Sequence, residues 1–182
     1  MKEIRLHGRG GQGVVKASQI IVKAAVNAGS YGQFIPFFGV ERKGSPVFGF
    51  LRLDTKPIRR KMQVYEPEIL LIFDDTLVEL SSTYEGFIDG GVIIINSKKT
   101  ISELHIPKQA KQVAIVDATG ISLKLFGKNI PNTAMLGAFV KVTGLVDWNT
   151  LLQEIGVEFG ESNKNAATQG YEQVVVCNEI NK

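Results

Sequence analysis

A chain of 182 residues, 44% apolar and 21% charged, has the composition of a folded globular domain rather than a disordered or fibrous one. Its length predicts one domain, residues 1–182, able to bury roughly 70% of the surface of the unfolded chain. The net charge of +3 is modest, no apolar run reaches the ~18 residues of a bilayer span, and Met1-Lys2-Glu3-Ile4-Arg5 enters a strand directly without a signal peptide, so a cytoplasmic protein with neither membrane nor nucleic acid as partner is expected.

The first predicted strand covers residues 3–7. Gly8-Arg9-Gly10-Gly11-Gln12-Gly13 follows and opens a helix over 13–28. Strand, glycine turn and helix in that order make a place for an anionic group, because glycine lets backbone approach a ligand and the helix offers unpaired N–H groups. Strands are expected over 31–36 and 46–53. The first should break near Pro36, which cannot donate to a sheet ladder, and Gly49 marks a bulge in the second.

Between them lies Phe37-Phe38-Gly39-Val40-Glu41-Arg42-Lys43-Gly44-Ser45-Pro46. Aromatics beside a charged, glycine-flanked turn read as a contact loop, and Phe34, Phe37 and Phe38 are candidates for exposed apolar surface. Arg42 can form a paired contact with a carboxylate or phosphate. Arg42, Lys43, Arg52, Lys56, Arg59, Arg60 and Lys61, against Asp54 alone, form a basic stretch for phosphates or an acidic partner, or a solvated face.

Three continuous apolar runs follow: Glu68–Phe73 before Asp74-Asp75, Val92–Ile95 before Asn96-Ser97, and Val113–Val116 before Asp117. Such runs fit strands buried on both faces of a parallel sheet. Helices are predicted over 76–84, 118–127, 132–143, 147–155 and 161–178. Thr76-Leu77-Val78-Glu79 matches a capping box, Thr119, Asn129 and Asn132 read as helix starts, and Gly144 as a helix stop. The alternation predicts an α/β fold: a Rossmann-like, doubly wound, mostly parallel sheet with helices on both faces. Ligands in such sheets bind outside the carboxyl ends of the strands, which places loop 8–13, Asp74, Asn96 and Asp117 at one edge.

The chemistry visible at that edge is sparse. Gly8, Gly10 and Gly13 satisfy G-x-G-x-x-G, but no acidic residue for a ribose stands near the end of the second strand before Glu41, and no P-loop lysine follows Gly13. Gly13 reads as a packing glycine, and Gly10 and Gly11 as sites of close contact. Cys177 is the single cysteine, which excludes an intrachain disulfide and an iron–sulfur cluster of about four thiolates. With only His7 and His105 beside it, a zinc site is excluded too. Cys177, at the end of a valine run, reads as a buried thiol, and no Ser/His/Asp arrangement is visible.

His7–Gly13 together with Phe38–Val47 resembles the gamma subunit of 2-oxoacid:ferredoxin oxidoreductases, the family of pyruvate:ferredoxin oxidoreductase (pyruvate synthase). Lys56–Arg59, Val64–Glu68 and Pro131–Ala138 are similar to its further segments, so the resemblance spans nearly the whole chain. It implies a non-catalytic subunit of a complex that decarboxylates a 2-oxoacid, pyruvate first among them, with coenzyme A and reduces ferredoxin. Thiamine diphosphate, magnesium and iron–sulfur clusters would sit on alpha, beta and delta-type partners. Coenzyme A is the one cofactor this chain is expected to touch, through Gly8, Arg9, Gly10, Gly11, Gln12, Gly13, Glu41, Arg42 and Gly44, unless those residues contact a neighbouring subunit. Stand-alone nucleotide binding and a purely structural role remain as alternatives, with homo-oligomerisation possible when the chain is isolated.

Overall fold

The computed structural model describes residues 1–37 and 46–178. Strand β1 (Lys2–Arg9) leads through the glycine loop into α1 (Val14–Asn27), followed by β2 (Tyr31–Phe37) and β3 (Pro46–Asp54). Then come β4 (Ile69–Ile72), β5 (Gly91–Asn96) and β6 (Ala110–Val116), separated by 3-10 helices at Asp75–Glu79, Ser81–Tyr84 and Ile101–Glu103. Helices α2 (Ala118–Phe126), α3 (Asn132–Thr143), α4 (Trp148–Phe159) and α5 (Glu161–Gln173) precede a last strand, β7 (Val175–Asn178).

The strands form one sheet in the order β2-β3-β1-β4-β5-β6-β7. β1, β4, β5 and β6 are parallel neighbours, whereas β3 opposes β1 and β2, and β7 opposes β6. The result is the mixed, mostly parallel α/β sheet that the apolar runs predict. Both faces of the central strands are covered, which is why Ile69–Ile72 is apolar without alternation. One face, through Leu6, Leu71, Phe73 and Ile94, meets the α-helices. The other, through Leu70, Ile72, Ile93 and Ile95, lies under Leu77, Val78 and Phe87 from the 3-10 region and the turn after it. Helices therefore flank both sides, but those of the second side are single 3-10 turns.

α1 buries Val14, Ala17, Ile20, Ile21 and Ala24, the spacing of one helical face. α3 is buried along most of its length and crosses α5 where two glycines meet. A Cβ at Gly137 would run into the Ala167 carbonyl, and one at Gly170 into the Ala134 carbonyl, so the backbones touch.

Six local expectations are corrected. The predicted helix 76–84 is two 3-10 helices, because Leu80 is extended (φ −91°, ψ 118°) between them. The capping residue is Asp74, whose side chain accepts the Thr76 N–H, in place of the Thr76–Glu79 box. The predicted helix 161–178 stops at Gln173, and the valine run becomes β7, whose β-branched side chains favour a pleated strand. Cys177 is half-buried on that edge strand, not in the core. β2 runs through Pro36 without a break, since β2 is an edge strand where a missing donor costs nothing. β3 has continuous register opposite Gly49, so no bulge forms there, and the absent side chain leaves room for the Phe34 ring.

Arg52 also departs from expectation. It is 1% exposed and belongs to no surface patch. Its Nε lies 2.7 Å from Glu3 Oε1, and its Nη groups donate to the Met62 and Gln63 carbonyls at 2.7 and 2.9 Å. One buried cation thus pins the 55–67 connection across the sheet. Arg52→Met would strand the Glu3 carboxylate and two carbonyls, and urea unfolding should show a loss of about 3–5 kcal/mol. Glu3→Gln, which keeps an acceptor oxygen, should cost clearly less.

Candidate functional site

The edge at the carboxyl ends of β1, β4, β5 and β6 is built from short polar side chains. The glycine loop closes on itself: Gln12 N donates to Arg9 O at 3.1 Å, and Gln12 Oε1 accepts the Arg9 N–H at 2.8 Å. The buried Gln12 amide also donates to Asp74 Oδ2 at 2.8 Å, joining the loop to the end of β4. Arg9 reaches the same place, with Nε 3.4 Å from Asp74 Oδ2 and Nη2 2.7 Å from Thr76 Oγ1. Burial alone would raise the Asp74 carboxyl, but hydrogen bonds from Thr76 and Gln12 and the Arg9 charge outweigh it and hold it below the usual carboxylate range.

The loop glycines have distinct reasons. A Cβ at Gly8 would meet Val14 and Phe73, so the strand end packs flush against α1 and β4. Gly13 has φ +79° and begins α1, and a Cβ there would lie 2.6 Å from Asn132 Nδ2. Gly11 has φ +97°, so its conformation demands glycine, and among the described residues nothing lies within 4 Å of a Cβ built there.

Asn96 and Asp117 complete the edge. Asn96 donates to Phe73 O and Thr119 Oγ1, each at 2.8 Å, and accepts the Thr119 N–H at 3.0 Å. Asp117, rather than Thr119, caps α2 by accepting the Gly120 N–H at 2.7 Å. Pro131 stands at the start of α3, with Asn132 accepting the Thr133 N–H at 2.8 Å. Gly144 ends α3 in the left-handed conformation, as expected. Gln12, Asp74, Asn96, Lys98, Asp117 and Thr119 surround an open cleft of about 380 Å3. Lys98 and Lys99 are exposed at its mouth, and Lys98 Nζ is 3.8 Å from Asp117. The two lysines carry no sequence signal of their own; only their position after the end of β5 marks them. Glu41, Arg42 and Gly44 lie outside the described residues, as does Phe38, so the structure brings together the 8–13 loop, Asp74, Asn96 and Asp117 alone.

The dinucleotide reading loses its frame. In such a site the next parallel strand lies beside the first and ends in the ribose acid. Here β1 is flanked by antiparallel β3 and by β4, and β2 lies beyond β3 at the edge. Among the described residues no group of three or more His, Cys, Asp or Glu side chains is placed to hold a metal ion.

His7 is buried on the second face, its ring edge-on to Phe48 at 5.0 Å. Arg5 Nε donates to His7 Nε2 at 2.9 Å, which leaves the proton on Nδ1, and Nδ1 has no partner among the described residues. Burial, and then the Arg5 charge, lower its pKa to about 3 from 6.5 and keep the ring neutral.

A model of the pyruvate ferredoxin/flavodoxin oxidoreductase family matches residues 3–173. The chain belongs to that family. It is 45% identical to the pyruvate/ketoisovalerate oxidoreductases common subunit gamma of Thermococcus kodakarensis, over 97% of this chain and 98% of the relative. It is 39% identical to the gamma subunit of NADH-dependent phenylglyoxylate dehydrogenase of Aromatoleum evansii, over 97% of this chain and 95% of the relative. The crystal structure of a pyruvate oxidoreductase subunit from Thermotoga maritima superposes with a TM-score of 0.83 at 35% identity, covering 96% of this chain and 97% of that one. The chain is thus a gamma-type subunit of an oxoacid:ferredoxin oxidoreductase, and its fold is that of its structural relative.

Two outcomes follow. Gly13→Ala should destabilise the fold by about 1–3 kcal/mol through φ strain and the Asn132 contact. Adding Asn132→Gly should recover part of that loss, and a double-mutant cycle in urea measures the coupling. Because the folded pKa of His7 lies below its unfolded value, the unfolded chain takes up the proton first. Stability is then full above about pH 6.5 and falls, by up to ~1.4 kcal/mol per pH unit, toward pH 3. His7→Gln should flatten that slope in thermal melts across the range.

Proposed function

We propose that this gamma-type subunit contributes no catalytic group and presents the cleft beside its glycine loop to the anionic part of coenzyme A. Decarboxylation of the 2-oxoacid belongs on this reading to thiamine diphosphate and magnesium on alpha and beta partners, and electron transfer to ferredoxin to iron–sulfur clusters on a delta-type partner. The observation that carries it is how the cleft is occupied by its own polar groups. Asp74 and Asp117 are engaged by backbone N–H groups and by Gln12, Arg9 and Lys98, and Asn96 by Phe73 and Thr119. The third carboxylate of the cleft, Asp75, accepts from Ser97 Oγ at 2.7 Å, so each lining carboxylate is tied to a neighbouring donor, whereas the ammonium groups of Lys98 and Lys99 and the backbone at Gly11 suit phosphate oxygens. Glu41, Arg42 and Gly44 would complete the contact from the neighbouring loop.

Pyruvate is the proposed 2-oxoacid. Its choice rests with the partner that holds the thiamine, in keeping with relatives named for pyruvate, ketoisovalerate and phenylglyoxylate. Calorimetry on the full chain should detect weak coenzyme A binding and none of NAD or FAD; tight NAD or FAD binding would sink the reading. The isolated chain should not turn over pyruvate with coenzyme A and a dye. In the assembled complex, Lys98→Ala with Lys99→Ala should raise the KM for coenzyme A about tenfold with kcat unchanged. An unchanged KM would move the role of this edge to subunit contact.

A further inference from the structure

We infer that the open face of the β2–β3 hairpin is a protein docking surface, and that its partner presents an apolar centre rimmed by carboxylates. This rests on the subunit assignment and adds to it which side of the molecule is covered and what covers it.

The pairing register puts Ile35 and Phe37 of β2 beside Phe50 and Phe48 of β3 on one face, with Arg5 and His7 of β1 next to them. It is the face opposite the one where Leu51 and Leu53 meet the α-helices. Over β4–β6 that second face is sealed by the 3-10 region, but among the described residues nothing seals it over β2 and β3. Phe37 is 43% exposed, and Ile35 and Phe48 are half-buried. Phe37 lies 6.5 Å from Phe48 and 6.3 Å from Phe50, ring centre to ring centre, so Phe37 and Phe48 form an aromatic platform against the buried Phe50 ring. Met62, 56% exposed, lies toward the Arg52 end of the same face, because its carbonyl accepts from Arg52 Nη1. Contiguous apolar surface of this kind marks an interaction site more often than isolated exposed side chains do.

The rim identifies the partner. Residues 55–65 contain Lys56, Arg59, Arg60 and Lys61 and no acidic residue, and all four cations are exposed. Arg60 Nη1 stands 4.0 Å from Glu3 Oε1, which places this segment beside the platform. Glu3 is already held by Arg52 at 2.7 Å, so it neutralises little of the rim. A second copy of the chain is a poor occupant, since a two-fold contact brings this patch onto itself and its 55–65 segment holds four cations and no acidic residue to answer them. A heterologous surface with Asp or Glu around an apolar centre satisfies both features, the rim steering the encounter and the platform supplying the buried core.

The test uses the full chain reconstituted with the other subunits of its complex, read by light scattering after size exclusion and by affinity titration. Arg59→Glu, Arg60→Glu and Lys61→Glu together should weaken assembly by about tenfold or more with the melting temperature unchanged, and the wild-type association should weaken at about 0.5 M salt. Phe37→Ser with Met62→Ser should weaken assembly comparably without the salt dependence. If both variants assemble like the wild type, this face is not the interface, and the subunit assignment stands. A wild-type chain that joins no partner would overturn both. Self-association of the wild type, or binding to a single-stranded oligonucleotide, that the same variants abolish would assign the face to a different occupant and overturn the proposal.

Discussion

The side-chain amide of Gln12 is the joint on which the carboxyl edge of the sheet depends. Its oxygen closes the glycine turn onto the Arg9 N–H, and its nitrogen reaches Asp74 beyond the end of β4. Being buried, the amide cannot exchange these partners for water, and leaving either unmet costs about 1–3 kcal/mol. Loop and strand end therefore hold one relative position. Asp74 passes the constraint on, because the same carboxylate caps the first 3-10 helix through Thr76 and attracts Arg9.

The edge repeats one device. β4, β5 and β6 are each followed by a short polar side chain that satisfies backbone groups at the same edge. Asp74 does so for the Thr76 N–H, Asn96 for the Phe73 carbonyl and the Thr119 N–H, and Asp117 for the Gly120 N–H. Residues tied to backbone groups hold the shape of the cleft, in keeping with the ligand-positioning role proposed for it.

Much of this was legible because it is local. Continuous apolar runs announced the parallel core, and the polar residues ending them announced the edge. What escaped depended on distant partners. The segment 76–84 has a plausible helical pattern, yet Arg5, buried in β1, needs an acceptor and finds it in the Thr83 carbonyl at 2.9 Å, while Thr83 Oγ1 bonds Leu77 O at 2.6 Å. Those contacts hold the segment as two 3-10 turns. Val174–Cys177 is predicted as the end of a helix, and pairing with the edge of β6 makes Val175–Asn178 a strand instead. Arg52 looks like one more cation in a basic stretch until Glu3, Met62 and Gln63 converge on it. The Gly13–Asn132 contact joins residues far apart in the chain, so only the packed fold reveals why that glycine is there.

The placement of β7 has a bearing on how the molecule comes into being. The hairpin β2–β3 pairs residues close in sequence, but Ile4 must wait for Ile69, and Gln112 waits for Asn178. Pairings that distant close large loops and form slowly. The N-terminal half can therefore gather early, whereas the edge of β6 stays bare until β7 pairs with it. A chain in which β7 is not yet paired presents that bare strand, and an unpaired sheet edge is a template for joining other chains, so the late pairing is the stage most exposed to aggregation.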